Sequence, residues 1–483
     1  MASVRNDGER GGPSWPLVTA VALFCGFAFL GSRGLGDPDE GRYAAAALEM
    51  LVAGDALTPT LDGVPHLTKP PLAYWCAATG MAALGRNEWG ARAATGAAHV
   101  LTALVVAAFG ASLAGGSRGR LAGIVYATML TPFAAASLLT PDPLLTLFET
   151  ATAFFLWRTG GERGTRLDPL LAWVAAGLAV MTKGPVGLLP FAVFAGAALL
   201  DRTGRVARSL RRAIDPGGLL LFAAIATPWF ALADAIHPGL FERLVGQELL
   251  GRAITGGHGR NAQWYQPLKI WVLPLTIGCL PWSAAWLGRS FWRKGTKRAT
   301  RSAHALLAVW VALPIVFFAF LPTRQILYVL PVFPAIALAT ALRWTARRSP
   351  LESPARFRLL LTGWLLFLAA LRVASANWPT DRDIRAAAAA ISAQVREAAG
   401  DTTVAVALPN MHGLGFYLER APNRDLARAL ASSSQRVVVL AKASDADRIE
   451  KHALEAGRSV RAVEWREGRV LLVAELVDFG EEP

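Results

Sequence analysis

Long apolar runs recur along almost the whole chain, and they constrain the fold more than any other feature. Each approaches the roughly 20 apolar residues that a helix needs to cross a bilayer. Charged residues make up 17% of the 483 residues, compared with about 25% in an average soluble domain. An open sheet would leave backbone groups unpaired in lipid, and the runs lack the alternation of a transmembrane barrel. The sequence therefore predicts a polytopic α-helical membrane protein.

The apolar periodicity predicts about 11–13 spans. They are placed at residues 15–32, 72–85, 89–113, 121–138, 143–157, 168–182, 185–200, 217–236, 268–288, 303–321, 326–342 and 359–376. The stretch 72–113 is predicted either as two spans or as one span preceded by a surface helix. No small-residue cleavage site follows the first segment, so an uncleaved first span is favoured over a signal peptide.

Positive charge is concentrated in alternate short loops, which predicts their side of the membrane. Arginine and lysine cluster at 118–120, 158–166, 202–212, 289–301 and 343–358. The positive-inside rule assigns these loops and the N-terminus to the cytoplasm. The net charge of +14 thus reflects the loops between spans and does not indicate a nucleic-acid partner.

The segment 377–483 is polar and is predicted to form a small α/β domain on the outer, periplasmic side. Helical composition covers 381–399 and 445–457, and β-rich runs cover 403–408, 435–440 and 470–476. We therefore divide the chain into a transmembrane domain, 1–376, and a periplasmic domain, 377–483. The first outer loop, 33–71, belongs to the first of these.

The first outer loop contains Asp37-Pro38-Asp39-Glu40, which has two interpretations. Asp37 as N-cap, Pro38 at the first helical position and Glu40 at the third would form a capping box. Alternatively, Asp39 or Glu40 projects into a cavity as a base. Capping would account for Asp37 and Glu40 but not for Asp39.

Further polar residues lie at the same side of other apolar segments, where ionisable groups are costly unless they serve a site. Lys69 either interacts with lipid head groups or binds a phosphate, and Lys183, between Thr182 and Gly184-Pro185, suits an anionic group. Asp142 either sits at the positive end of a helix dipole or acts as a second acid. His258 is either a solvated loop residue or a ligand.

Together these residues predict an outward cavity with a few acids and several cations. The cations fit a lipid phosphate, and an acid among them fits a general base for a hydroxyl acceptor. A lipid-linked phosphate substrate and an outer-side acceptor would satisfy both.

The first outer loop resembles that of bacterial lipid A 4-amino-4-deoxy-L-arabinose transferases, and of the wider dolichyl-phosphate-mannose protein mannosyltransferase-like superfamily. The resemblance is carried by Asp39-Glu40-x-Arg42-Tyr43, Leu48-Glu49-Met50-Leu51, Gly54-Asp55, Lys69-Pro70-Pro71 and Tyr74-Trp75. Weaker similarities follow in order at 182–185, 264–265, 281–282, 328–334 and 415–418.

The resemblance implies a C-type glycosyltransferase of the bacterial inner membrane that uses a polyprenyl-phosphate sugar. The acceptor would be lipid A, a protein or an envelope glycan, and the reaction a direct displacement at the anomeric carbon. The resemblance implies Asp39 as the leading catalytic carboxylate with Tyr43 beside it, Asp142 as a second acid, Lys69 and Lys183 as ligands of the donor phosphate, and Tyr328 in the cavity wall. With the residues singled out above, the predicted catalytic residues are Asp39, Glu40 and Asp142, and the predicted substrate-binding residues are Arg42, Tyr43, Lys69, Lys183, His258 and Tyr328.

One departure from the family pattern concerns a metal. The aminoarabinose transferases have a glutamate before the lysine of Lys-Pro-Pro, which helps to hold a metal together with a loop histidine. Here that position is Thr68, and threonine is a poor zinc ligand. We therefore predict no metal residues, although a divalent metal is not ruled out as a cofactor.

Two other classes of protein compete with the enzyme. A transporter would carry ionisable groups near the middle of broken helices, often in two related halves, whereas here they lie at one boundary without a repeat. A non-catalytic membrane scaffold with an outer binding domain would need neither Asp39 nor Lys69.

Overall fold

The computed structural model describes most of the chain as helices and one small sheet. The described residues are 13–242, 244, 261, 263–287, 298–321, 323–343, 354–378, 380, 382–397, 401–408, 411–418, 422–466 and 469–476. They divide into two compact units. The helical unit contains the residues up to Leu30, Leu67–Cys76 and Arg92–Val373, and the mixed unit contains Gly31–His66, Ala77–Ala91 and the residues from Ala374 on.

The first part of the chain is helical except for one short hairpin. Its elements are α1 (Trp15–Phe27), α2 (Asp39–Ala53), β1 (Thr60–Leu61), β2 (Val64–Pro65), α3 (Leu72–Leu84), α4 (Glu88–Ala114), α5 (Gly116–Thr128), α6 (Leu130–Ala136), α7 (Asp142–Thr159), α8 (Leu167–Lys183), α9 (Leu189–Leu200), α10 (Arg205–Ala213) and α11 (Pro216–Ile236).

The second part adds further helices and the sheet. Its elements are α12 (Leu240–Glu242), α13 (Gln266–Thr276), α14 (Arg298–Phe320), α15 (Phe333–Arg343), α16 (Pro354–Asn377), α17 (Ile384–Arg396), β3 (Thr402–Val406), α18 (Leu414–Tyr417), α19 (Leu426–Leu430), β4 (Arg436–Lys442), α20 (Ala446–Glu455), β5 (Arg458–Arg466) and β6 (Arg469–Leu476). Short 3-10 segments, among them Gly184–Leu188 and Ile326–Val332, join some of the helices.

Six helical stretches in the described part of the chain are long and apolar enough to cross a membrane. They are Glu88–Ala114, Leu167–Leu200, Pro216–Ile236, Arg301–Phe320, Ile326–Arg343 and Ala355–Asn377. The predicted polytopic α-helical membrane protein is thereby confirmed. The stretch 72–113 forms two helices, α3 and α4, separated by residues 85–87, and whether both cross the bilayer stays a prediction.

Proline and capping side chains explain where several helices begin. Pro16, Pro143 and Pro216 lie in the first turns of α1, α7 and α11, where the missing N–H costs nothing. Asp215 caps α11 by accepting a hydrogen bond from the Gly218 amide at 2.7 Å. The turn signals in the sequence thus predict these starts correctly.

Two buried arginines of the helical unit donate hydrogen bonds to backbone carbonyl oxygens near the ends of helices. Arg372 of α16 donates to the carbonyl oxygens of Cys25, Ala28 and Phe133 at 3.2, 2.6 and 2.9 Å. Arg92 of α4 donates to the carbonyl of Leu30 at 3.1 Å. Carbonyls at the C-terminal end of a helix lack an intrahelical hydrogen-bond donor. The two arginines supply these donors, which lipid tails cannot provide.

The C-terminal part of the mixed unit is a four-stranded sheet with the order β3-β4-β6-β5. β3 and β4 are parallel, and the other two pairings are antiparallel. The three predicted strands and both predicted helices are present. β5 was not predicted, because its Arg-Ser-Val-Arg-Ala-Val-Glu-Trp-Arg sequence is too polar to read as a buried strand.

The N-terminal part of the mixed unit is α2 followed by the β1–β2 hairpin. The turn of the hairpin is Asp62-Gly63, with φ of 55° and 75°. The Glu49 carboxylate of α2 accepts hydrogen bonds from both turn amides, at 2.8 and 3.1 Å. Residues 33–66 of the first outer loop are grouped with the C-terminal sheet by their contacts, whereas residues 67–71 belong to the helical unit. The predicted division of the chain between residues 376 and 377 stays a prediction.

Candidate functional site

Lys183 lies at a helix end that the local sequence dictates. α8 ends at Lys183, and Gly184 follows with φ 76° and ψ −154°, a conformation that residues with a Cβ rarely adopt. Pro185 then starts a 3-10 segment that leads into α9. The sequence Thr182-Lys183-Gly184-Pro185 therefore breaks the long apolar run and places the lysine at the break.

Three segments that are far apart in the sequence meet around the Lys183 ammonium. Its Nζ donates to Asp142 Oδ1 at 2.5 Å and lies 4.4 Å from the centre of the Tyr328 ring. The Lys183 and Asp142 side chains are 12% and 6% exposed. Asp142 is the first residue of α7, and Tyr328 belongs to the 3-10 segment Ile326–Val332. Three residues singled out from the sequence are thus in one place.

Lys183 also lines a cleft of about 550 Å³ in the helical unit. The polar residues that line the cleft are Thr68, Lys69, Lys183, Thr227 and Asp234, and most of the rest of its surface is apolar. Two lysines therefore line one cleft with apolar walls. A phosphate with an apolar tail matches this combination of charge and surface.

Sequence reasoning missed Glu149 and Asp234. Glu149 lies two turns after Asp142 on α7, is 2% exposed, and is close enough to Lys183 and Asp142 to interact with them electrostatically. Asp234 lies near the end of α11. Each is a single acidic residue within an apolar stretch. Neither has the neighbouring Pro or Gly residues by which the other candidates were recognised.

In the mixed unit, the two acids of the first outer loop differ in environment. Glu40 is 3% exposed and accepts hydrogen bonds from Arg33 Nη2 at 2.6 Å and from the Gly36 amide at 3.0 Å. Asp39 pairs with Arg42 at 2.6 Å, and its side chain is 41% exposed. Glu40 therefore closes the turn before α2, whereas Asp39 keeps access to solvent.

The predicted capping box is wrong in one respect. α2 begins at Asp39, its N-cap residue is Pro38, and the Asp37 carboxylate does not cap it. Asp37 is instead buried, and burial raises the pKa of its carboxyl to about 7, against the opposing effects of the Gly413 and His412 backbone and of Arg424. Glu40 alone supports the helix start, through the Gly36 amide.

A second charged cluster of the mixed unit was not predicted. Asp62 Oδ2 lies 2.9 Å from His412 Nδ1 and 3.2 Å from Arg424 Nε. The hydrogen bond from His412 and the charge of Arg424 outweigh burial and hold the pKa of the Asp62 carboxyl below its usual range. The contact between Asp62 and His412 joins the β1–β2 turn to the C-terminal part of the unit. The two residues are 350 positions apart, so the sequence alone does not reveal the contact.

A third group of polar contacts in the same unit involves Glu88. Its Oε1 accepts hydrogen bonds from Arg385 Nε at 2.7 Å and from the Tyr417 hydroxyl at 2.8 Å. Tyr417 belongs to the Gly415-Phe416-Tyr417-Leu418 motif, and its hydroxyl also accepts a hydrogen bond from the Leu35 amide at 2.8 Å. This motif therefore serves the fold of the unit.

The remaining predicted residues divide between the two units. Lys69 and Tyr328 belong to the helical unit, whereas Arg42 and the half-buried Tyr43 lie on α2 of the mixed unit. His258 lies outside the described residues.

Comparison with known proteins identifies relatives for most of the chain. Residues 68–231 match the family model described as dolichyl-phosphate-mannose-protein mannosyltransferase. The undecaprenyl phosphate-alpha-4-amino-4-deoxy-L-arabinose arabinosyl transferase of Aeromonas salmonicida is 30% identical over 333 residues, which are 68% of this chain and 59% of that protein. The enzyme with the same description from Pseudomonas aeruginosa is 29% identical over 67% of this chain and 58% of its own length.

Solved structures agree with the sequence relatives. The crystal structure of ArnT from Cupriavidus metallidurans bound to undecaprenyl phosphate matches with a TM-score of 0.75 at 21% identity, over 97% of this chain and 99% of that one. The archaeal oligosaccharyltransferase AglB from Archaeoglobus fulgidus matches with a TM-score of 0.50 at 12% identity, over 96% of this chain and 74% of that one.

The chain has the fold of the ArnT crystal structure, the C-type glycosyltransferase fold of a polytopic membrane protein. The resemblance predicted from the first outer loop is thereby confirmed. The ArnT-like chain spans somewhat less than two thirds of the length of the curated transferases that it matches. Similarity at this level shows the fold, whereas the reaction has to be argued from this chain's own residues.

The residues near Lys69 do not fit the zinc ligands expected for an ArnT-like chain. Thr68 precedes Lys69 and offers only a hydroxyl, which is not among the usual ligands of zinc. Within the ranges that the structure describes, no group of three or more His, Cys, Asp or Glu side chains could hold a metal ion. We therefore assign no zinc to this position.

Proposed function

We propose that this ArnT-like protein transfers a sugar from a polyprenyl-phosphate donor to an acceptor at the outer face of the membrane. The observation that carries the proposal is the Lys183 ammonium, held by Asp142 and Tyr328, beside a cleft that Lys69 also lines. A buried cation in a membrane protein is costly, and Lys183 lines a cleft, whereas the buried Arg92 and Arg372 bind backbone carbonyls. Its position next to an apolar cleft favours a lipid phosphate as the ligand.

The two lysines would bind the donor phosphate and stabilise it as it leaves. The acceptor oxygen attacks the anomeric carbon, the bond between that carbon and the phosphate oxygen breaks, and its electron pair departs with the polyprenyl phosphate. Negative charge increases on the phosphate during this step, so fixed cations lower the barrier, an effect typically worth about 3–4 kcal/mol for one donor group. The Asp142 carboxylate and the Tyr328 ring would hold Lys183 in position for it.

We assign the acceptor proton to Asp39. Glu40 is engaged by Arg33 and the Gly36 amide, whereas Asp39 has a single ion pair and a partly exposed carboxylate. A carboxylate that accepts the proton of a hydroxyl acceptor typically accelerates the reaction by about 10²–10⁴. If the acceptor is a phosphate, which needs no base, Asp39 would orient it instead.

The orientation that fits this reaction has the N-terminus in the cytoplasm and the C-terminal domain in the periplasm of a bacterial inner membrane. Support comes from the distribution of arginine and lysine over alternate loops. Lipid A, a protein and an envelope glycan remain candidate acceptors.

The test compares envelope lipids and glycans by mass spectrometry in three strains. They are a deletion strain and the same strain complemented with wild-type protein or with Lys183→Met. A sugar mass that is lost on deletion, restored by the wild type and not restored by Lys183→Met would support the proposal. Lys451→Met, on the exposed surface of α20, is the matched control and should restore the sugar. Identical envelopes in the deletion and wild-type strains would contradict the proposed function.

A further inference from the structure

One face of α11 lines the cleft and changes from apolar to acidic at its end. Phe222, Ala226, Phe230 and Asp234 all line the cleft, and they are spaced four residues apart. This spacing places them on one face of the helix, over about 18 Å at 1.5 Å per residue. The cleft is therefore apolar along most of α11 and meets a carboxylate only near the C-terminal end of the helix.

The packing of α11 on α8 sets the level of Asp234. The Gly218 α-carbon approaches Trp173 and the Pro169 carbonyl, and the Gly177 α-carbon approaches Ile225 and the Phe222 carbonyl. These contacts join residues that are 45 to 49 apart, so the two helices run in the same direction. The same register brings positions 228–232 level with Lys183 and places Asp234 within about one to two turns of it.

An acid at this level has a consequence for what the cleft can bind. A carboxylate near a bound phosphate repels it, because the two groups carry charge of the same sign. Asp234 would therefore oppose the two lysines if the ligand were a phosphate alone. A donor carries a sugar on the same phosphate, and hydroxyl or ammonium groups on that sugar are good partners for a carboxylate.

We propose that Asp234 is a specificity-determining residue that binds the sugar of the donor and excludes anionic sugars. This inference rests on the proposed function and extends it to the charge of the substrate. A donor with a neutral or an amino sugar offers hydrogen-bond donors to Asp234. A donor with a uronic acid brings a second carboxylate to the same place and is rejected.

The test measures the affinity of the full-length protein in nanodiscs for four ligands. They are undecaprenyl phosphate and its glucosyl, glucosaminyl and glucuronyl derivatives. For the wild type we expect the glucosyl or the glucosaminyl ligand to bind at least 10-fold more tightly than undecaprenyl phosphate, and the glucuronyl ligand to bind less tightly. In Asp234→Asn this gain should fall at least 10-fold and the discrimination against glucuronate should disappear. Undecaprenyl phosphate itself should bind within about twofold of the wild type or more tightly.

Two results would overturn the inference while leaving the proposed function intact. One is an Asp234→Asn protein that keeps the wild-type preference among the three sugars. The other is a loss of affinity for undecaprenyl phosphate itself, which would place Asp234 in the support of the lysines. A wild-type protein that does not bind undecaprenyl phosphate would contradict the proposed function as well. Asp447→Asn, on the exposed surface of α20, is the control and should match the wild type with all four ligands.

Discussion

The two units of the protein use charged side chains in different ways. In the helical unit, Lys183 pairs with the Asp142 carboxylate, lies over the Tyr328 ring and lines a cleft. In the mixed unit, the Asp62 carboxylate binds His412 and Arg424 and holds the β1–β2 turn in place. The first arrangement leaves room for a ligand, and the second joins chain segments. A charged group alone does not mark a site, because what surrounds it decides its role.

The same distinction separates cations within the helical unit. Arg324 donates to the carbonyl oxygens of Ala319, Asn261 and Gln263, so it joins Asn261 and Gln263 to the end of α14. Lys183 makes one short ion pair and has a cleft beside it. We expect mutations of the two residues to differ in kind: loss of folded protein for Arg324 and loss of activity for Lys183.

The largest effect is expected for Lys183→Met. Loss of a charge-assisted contact to the donor phosphate should weaken undecaprenyl phosphate binding about 10- to 100-fold. Sugar transfer should fall by a further factor on the order of 10²–10³. Undecaprenyl phosphate binding to the purified protein measures the first effect, and the rate of sugar transfer measures the second.

The variant leaves the Asp142 carboxylate buried without its partner, which costs about 3–5 kcal/mol in known buried pairs. The double variant Asp142→Asn/Lys183→Met should therefore recover stability without recovering transfer. If it recovers transfer as well, the Lys183 pair is structural and the contrast between the two units fails.

A similarly large effect is expected for Asp39→Asn, and it should be confined to turnover. Loss of a general base lowers the rate by about 10²–10⁴, while Asn preserves the size of the side chain and the start of α2. Undecaprenyl phosphate binding should stay at the wild-type level, since the lysines supply it. Unchanged turnover would remove Asp39 from the reaction, and Asp447→Asn serves again as the surface control.

A moderate effect on stability is expected for Asp62→Asn in the mixed unit. The substitution removes charge-assisted contacts to His412 and Arg424 that are only partly exposed, so we expect a loss of about 1–2 kcal/mol. Hydrogen exchange of the peptides covering 60–66 and 411–418 should accelerate by about 10-fold. Undecaprenyl phosphate affinity should not change. A change of more than about threefold would contradict the assignment of Asp62 to a purely structural role.

The smallest effect is a pH dependence at Asp37. Burial raises the pKa of this carboxyl from 3.8 to about 7, so the folded state binds the proton more tightly than the unfolded state. The stabilisation is full below pH 4 and is lost as the pH rises from about 4 to about 7. The protection factors of the amides at residues 36–42 and 411–416, which are corrected for the intrinsic pH dependence of hydrogen exchange, should be higher at pH 5 than at pH 8 in the wild type.

In Asp37→Asn, which cannot ionise, this difference between the two pH values should disappear at both peptides. His66 is the neighbouring group to control, because burial lowers its pKa to about 4. Its stabilisation is therefore lost toward acid, in the opposite direction. A wild type with lower protection factors at pH 5 than at pH 8 would show that His66 outweighs Asp37.

The sequence was sufficient to predict the membrane fold, the C-terminal sheet and most of the polar candidates. Apolar runs and turn signals act locally, so they located Lys183 and Asp142 at helix ends. They could not show that the two side chains bind each other, because contacts across 41 residues depend on how helices pack. The burial of Asp37 was missed for the same reason, since residues 412 and 413 cover it from the far end of the chain.

The glycines between α8 and α11 fix how wide the cleft is. A Cβ at Gly177 would lie 3.1 Å from Ile225 side-chain atoms, and one at Gly218 would clash with the Trp173 ring. Helix α11, which forms one side of the cleft, therefore packs very closely against α8. Replacing either glycine by alanine would push α11 away from α8, so the width of the cleft would change while its polar side chains stay the same.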